Sequence, residues 1–183
     1  NMKIFAPDLL ILVPLFVQTI MKKIQDELKA KGLEKKVAGV IKMSDALLKT
    51  GIDLRGKLFG QIIAAFGGNL RYIVCGGAPL GKDAVGFFKS IGVDILEGYG
   101  ITECSPLVAV NPLFTRYYDS VGLPVPGTKV KIIDERDGKE VDLPCGEIGE
   151  ICVKGPSVMI GYYNAEEETK AVFTQEGYFR TGD

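Results

Sequence analysis

Tyr99, Thr102 and Glu103 stand close together in the stretch Glu97-Gly98-Tyr99-Gly100-Ile101-Thr102-Glu103. An aromatic face can stack on a heterocyclic base, a hydroxyl can contact a phosphate oxygen, and a carboxylate can hold a hard cation. Together the three could serve one small polyanionic ligand. Gly98 and Gly100 carry no side chains, so backbone and ligand can approach closely there. Each residue also has a plainer reading: Tyr99 as a strand-end aromatic, Thr102 as a helix cap, Glu103 as a solvated or capping acid. The apolar run Val93 to Leu96 precedes the stretch and reads as a buried strand. The cluster therefore falls at the carboxyl end of a strand, where open α/β sheets place their ligands.

The elements around the cluster follow from periodicity. Leu9 to Val13 is a short apolar run with the look of an interior parallel strand, and Pro14 suits the first turn of a helix. Ile20, Ile24 and Leu28 then recur at helical spacing, with Lys22, Lys23, Lys29 and Lys31 off that stripe. Further helices are expected over 35–48 and 54–65, the latter ended by Gly67-Gly68-Asn69. Leu70 to Cys75 reads as a strand, Gly76-Gly77-Ala78-Pro79-Leu80 as a sharp turn, and 82–91 as a helix. Alternating strand and helix imply parallel pairing with right-handed crossovers. The pattern changes after Asn111. Thr128 to Asp134 and Glu147 to Lys154 read as strands, with Asp137-Gly138 as a hairpin turn. Gly122 to Gly127 reads as a stiff connector, and 166–173 as a short helix. The expectation is an α/β fold: a parallel-sheet α/β part over 1–110, then a β-rich part over 111–183.

Bulk properties narrow the function. The chain has 183 residues, 46% hydrophobic and 25% charged, so it is globular. A net charge of -1 and a pI near 5.7 argue against general nucleic-acid binding. Histidine is absent, which excludes a Ser-His-Asp triad, a Cys-His pair and a His-ligated metal within the chain. Cys75, Cys104, Cys145 and Cys152 show no CxxC spacing, so zinc is disfavoured and a reduced cytoplasmic setting is expected. Cys104 has no histidine to activate it and reads as a structural thiol. Pro7, Asp8 and Pro14 interrupt the apolar stretch from Ile4 to Ile20, which is too short and broken to span a bilayer. The lysines between Lys22 and Lys36 could touch anionic lipid. Interspersed acids favour a solvated face, so peripheral membrane contact has no motif behind it.

Five segments, in order, carry a resemblance: Gly76-Gly77-Ala78-Pro79-Leu80; Gly98 to Glu103; Gly122-Leu123-Pro124-Val125-Pro126-Gly127; Gly146-Glu147-Ile148-Gly149-Glu150 through Gly161-Tyr162-Tyr163; and Arg180-Thr181-Gly182-Asp183. The chain resembles the adenylate-forming enzymes, which include acyl-CoA synthetases, luciferases and peptide-synthetase adenylation domains. Ile101 stands where peptide-synthetase domains usually have proline. With Gly86-Phe87-Phe88 and the Val158 to Tyr163 segment, the chain is most similar to bacterial long-chain fatty-acid-CoA ligases.

The resemblance implies chemistry and roles. ATP and a carboxylate give an acyl-AMP, and the acyl group then passes to coenzyme A, with Mg²⁺ as the metal. Tyr99, flanked by Gly98 and Gly100, would stack on adenine, and the Gly76-Gly77-Ala78 backbone would line the base and acyl pocket. Thr102 would contact the α-phosphate, Glu103 would hold Mg²⁺, and Asp183 would accept from the ribose hydroxyls. The partners implied are fatty acid, ATP and CoA. The family's Ser/Thr/Gly-rich phosphate loop and its C-terminal domain with the catalytic lysine have no counterpart in this sequence. The expectation is therefore a central piece of a larger ligase, inactive in isolation. A non-catalytic nucleotide- or acyl-binding relative and an adenylation domain for another carboxylate are the alternatives.

Overall fold

Pro14 has no amide hydrogen to lose and a ring that fixes φ, so it starts a helix without penalty. The computed structural model, which describes residues 2–114, 119–136 and 139–183, has α1 at Met2–Phe5, β1 at Leu9–Leu12 and α2 at Pro14–Ala30. Val17 of α2 is fully buried, and Ile20 and Ile24 line the same core. The off-stripe lysines 22, 23, 29 and 31 are exposed, as the 3.6-residue period requires. Next come α3 (Glu34–Leu48), α4 (Arg55–Leu58), α5 (Gly60–Ala64), β2 (Tyr72–Cys75), α6 (Lys82–Ser90) and β3 (Asp94–Gly100).

The chain divides into two compact units, one ending at Glu97 and the other running from Gly98 to Asp183. This division lies ahead of the compositional change near residue 111, because β3 belongs to both. In the first unit β1 pairs with β2 in parallel from Leu9↔Tyr72, and β2 pairs with β3 in parallel from Tyr72↔Asp94 to Cys75↔Glu97. Helical crossovers make such pairing possible. Helices α2, α3 and α6 pack on one another. Phe88, Ile91, Val93, Ile73, Leu70 and Phe59 form the centre of the core, each 3% exposed or less.

Two expectations for this unit are corrected. β1 ends the strand order rather than lying inside it, and Ile11 is 79% exposed. Only its Leu10 and Leu12 face the core, because successive strand side chains point to opposite faces and one face alone is packed. The single helix expected over 54–65 is two short ones. They break at Phe59 (φ -110°), whose ring is drawn into the core while Gly60 follows with little helix preference.

Arg55 braces this region. Its guanidinium donates to Asp53 and, at 2.9 Å, to the carbonyl of Lys89 near the end of α6. Hydrogen bonds from the Arg55 side chain and amide hold the Asp53 carboxyl down to about 2.

The second unit is β-rich. After Gly98 the chain runs antiparallel: β3 pairs with β4 (Leu107–Val110), and β4 with β5 (Leu123–Pro124). Part of the supposed connector is thus a strand. β6 (Lys129–Arg136), β7 (Lys139–Asp142), β8 (Glu150–Lys154) and β9 (Phe179–Arg180) make a separate antiparallel sheet in the order β7-β6-β8-β9. Arg136 sits opposite Lys139; the expected turn residues Asp137 and Gly138 lie outside the described residues. Helix α7 covers Glu166–Ala171, slightly shorter than expected. The unit's core holds Cys104, Val108, Val153 and Phe179, with Tyr99, Ile101 and Met159 packed on them.

Phe88 is the largest fully buried side chain in the first unit. Phe88→Ala is expected to cost about 3–5 kcal/mol of stability. Urea unfolding of the 183-residue chain should show a lower midpoint with an unchanged slope; a loss below about 1 kcal/mol would contradict this placement of the core.

Candidate active site

β3 is the element that positions the cluster, and its glycines are there for the neighbouring strand. A Cβ on Gly100 would lie 2.2 Å from the carbonyl oxygen of Pro106, and one on Gly98 would lie 3.1 Å from that of Ala109. The register shifts between Tyr99 and Gly100, and an irregularity of this kind re-aims the side chains around it. The Ile101 amide then donates to Pro106 O at 2.8 Å, and a single 3₁₀ turn follows over Thr102–Cys104. Cys104 is wholly buried and fixes the inner side of that turn, while Thr102 is exposed and Glu103 half-buried. The N-cap position of the turn is held by Ile101 rather than Thr102. Burial pushes the Cys104 thiol up, as it does Cys75 and Cys152, both to about 11, so all three are poor nucleophiles.

Asp183 is far from Tyr99 in sequence yet bonded to it. The Tyr99 hydroxyl donates to Asp183 Oδ2 at 2.5 Å. Burial, then the Asp183 acceptor, raises the Tyr99 phenol from 10.0 to about 12, with the Thr181 hydroxyl acting in the opposite direction. Asp183 itself is firmly held. Its carbonyl accepts from the Ile151 amide at 3.0 Å, and its own amide donates to Thr181 Oγ1 at 3.2 Å. Thr181 in turn donates to the Ile151 carbonyl at 2.9 Å. Arg180 places two hydrogen bonds on Glu150 Oε2, and the Gly182 amide donates to Glu150 Oε1 at 3.0 Å. The four-residue Arg180–Asp183 segment is thus tied to β8 at every position.

Glu103 is anchored by its main chain and its side chain. The Met159 amide donates to Glu103 O at 2.7 Å, and the Tyr162 hydroxyl donates to Glu103 Oε1 at 3.1 Å. Among the described residues no group of three or more His, Cys, Asp or Glu could cage a metal. A lone, half-buried carboxylate suits Mg²⁺, which keeps its waters and shares ligands with substrate phosphates.

The second unit therefore brings together Tyr99, Thr102, Glu103 and Asp183. The Gly76-Gly77-Ala78 turn belongs to the first unit, following β2, with Gly77 at φ +88°, a conformation glycine adopts freely. Tyr162, Thr181 and Glu150 were given no role from sequence. The signal was present, since each lies in one of the five segments, but spacing alone cannot show which side chain meets which.

The AMP-binding enzyme family model matches residues 2–163. The chain belongs to the AMP-binding enzyme family. It is 33% identical to a Schizosaccharomyces pombe protein named long-chain-fatty-acid–CoA ligase 2, over 98% of this chain and 27% of that protein. An Escherichia coli O6:H1 long-chain-fatty-acid–CoA ligase is 44% identical over 59% of this chain and 19% of its own length. The structure is similar to that of ATP-bound MatB from Rhodopseudomonas palustris, with a TM-score of 0.58 and 39% identity, over 65% of this chain and 24% of that one. The chain thus spans about a fifth to a quarter of the length of these relatives.

The raised Tyr99 phenol makes a pH prediction. A phenol that ionises at about 12 when folded, against 10.0 ordinarily, stabilises the fold fully below pH 10 and loses that contribution as pH rises from 10 to 12. Tyr99→Phe removes this dependence. Unfolding curves of the two proteins across this range should converge as pH rises, and the folded protein's phenolate absorbance near pH 12 should fall by about half a ring in the variant.

Proposed function

We propose that the chain is the adenylate-site portion of an ATP-dependent, AMP-forming ligase that activates a long-chain fatty acid and passes it to coenzyme A. The observation that carries this reading is the Tyr99–Asp183 hydrogen bond beside Glu103: an aromatic ring, a firmly held carboxylate and a second, separately held carboxylate on one unit. Two relatives named as long-chain-fatty-acid–CoA ligases and a relative solved with ATP support it.

In this reading the ring face of Tyr99 stacks on adenine while its hydroxyl stays on Asp183. Asp183 Oδ1 carries no protein hydrogen bond among the described residues and accepts from the ribose. The exposed Thr102 hydroxyl donates to an α-phosphate oxygen. Glu103 is the protein ligand for Mg²⁺, which when bound neutralises charge on the phosphates. Acyl transfer from a free carboxylate fails because oxide is a poor leaving group. Making AMP the leaving group removes that obstacle, and the protein's part is positioning and charge stabilisation. The cationic groups that such chemistry needs are expected outside these residues. Four unpaired cysteines accord with the reduced, cytoplasmic setting that belongs to the same proposal.

Two tests follow. In the full-length ligase carrying this chain, Glu103→Gln should lower acyl-adenylate formation by about 100-fold or more while leaving the melting temperature unchanged. Adenylation near the unsubstituted rate would remove Glu103 from the mechanism. The isolated chain should give the circular dichroism of a mixed α/β fold yet no fatty-acid-dependent exchange of labelled pyrophosphate into ATP; turnover above a no-protein control would place the missing groups inside these 183 residues.

A further inference from the structure

We infer that Tyr162 is a positioning residue for Glu103: its phenol aims the carboxylate at a divalent cation without neutralising it. This rests on the metal role proposed for Glu103. A free glutamate side chain spreads over several rotamers, and ordering it costs entropy each time a cation binds. Here that ordering precedes binding. The Tyr162 hydroxyl sits on Oε1, while Oε2 has no protein partner among the described residues. A lysine in that place would cancel the charge that a cation needs, whereas a phenol donates one hydrogen bond and leaves it intact.

Tyr162 is itself held by a local frame. Its amide donates to Thr169 Oγ1 at 2.9 Å, and that hydroxyl donates onward to the Ala165 carbonyl at 2.7 Å. The Ala165 amide returns to Tyr162 O at 3.3 Å, closing a bridge between the two residues. Gly161 lets the chain pass close to α7, since a Cβ there would meet Thr169 Cγ2 at 2.8 Å. The same segment fixes the Glu103 backbone through the Met159 amide. Main chain and side chain of Glu103 are therefore located by one stretch, Met159 to Tyr162. The adjacent Tyr163 is 93% exposed and makes no comparable contact among the described residues, so the two tyrosines of the pair are not equivalent.

The test measures Mn²⁺ binding to the full-length ligase with a non-hydrolysable ATP analogue, reading free Mn²⁺ by electron paramagnetic resonance. Tyr162→Phe should weaken Mn²⁺ by about 10-fold, with the melting temperature and metal-free nucleotide affinity unchanged. Tyr163→Phe should leave Mn²⁺ affinity as it is. Glu103→Gln should weaken Mn²⁺ at least as much as Tyr162→Phe, and the double variant should be no worse than Glu103→Gln alone, because the tyrosine acts only through that carboxylate. Unchanged Mn²⁺ affinity in Tyr162→Phe, or effects that add in the double variant, would overturn the inference while the metal role of Glu103 stands. Unchanged affinity in Glu103→Gln would overturn both.

Discussion

The close approach of the Pro106–Ala109 backbone to Gly98 and Gly100 is the constraint on which the Tyr99–Glu103 cluster depends. There is no room for a methyl group at Gly100, so β4 can lie directly against the end of β3. That contact lets the Ile101 amide reach Pro106 and turns the chain into the 3₁₀ turn carrying Thr102 and Glu103. Cys104, buried at the end of the turn, keeps it from rotating. The residues with chemistry are thus outcomes of a packing problem solved by residues with none.

Asp183 depends on a second device, the pairing of its segment with β8. Glu150 receives Arg180 and the Gly182 amide, so one carboxylate organises both ends of a short turn. Arg180 is only partly exposed, and two of its nitrogens converge on the one Glu150 oxygen, Oε2, a charge-assisted contact of the stronger kind. The hydroxyl of Tyr99 then links the two devices. Placing neutral donors on two carboxylates, a phenol on Asp183 and another on Glu103, leaves both charges available to a ligand.

Much of this could be read from the residues. Pro14, the Ile20-Ile24-Leu28 stripe and the apolar run before Glu97 announced a helix and a strand because periodicity and φ restriction are local properties. What escaped was non-local. The exposure of Ile11 depends on which face of β1 is packed against the core, and the break at Phe59 depends on a core that pulls the ring inward. Leu107–Val110 and Phe179–Arg180 are too short to declare themselves as strands before a partner is known. At the site, residue types and order were legible in Tyr99, Thr102, Glu103 and Asp183. The bonds joining Tyr99 to Asp183 and Tyr162 to Glu103 span 84 and 59 residues and are decided by packing alone.

The distribution of thiols has a practical consequence. Cys75, Cys104 and Cys152 are buried, but Cys145 is exposed, between Pro144 and Gly146 in the turn leading to β8. A maleimide at neutral pH therefore has one accessible target, on the unit that carries Glu103 and Asp183. With no tryptophan in the chain, a single dye at that position would report on this unit against a nearly dark background, with no cysteine replaced.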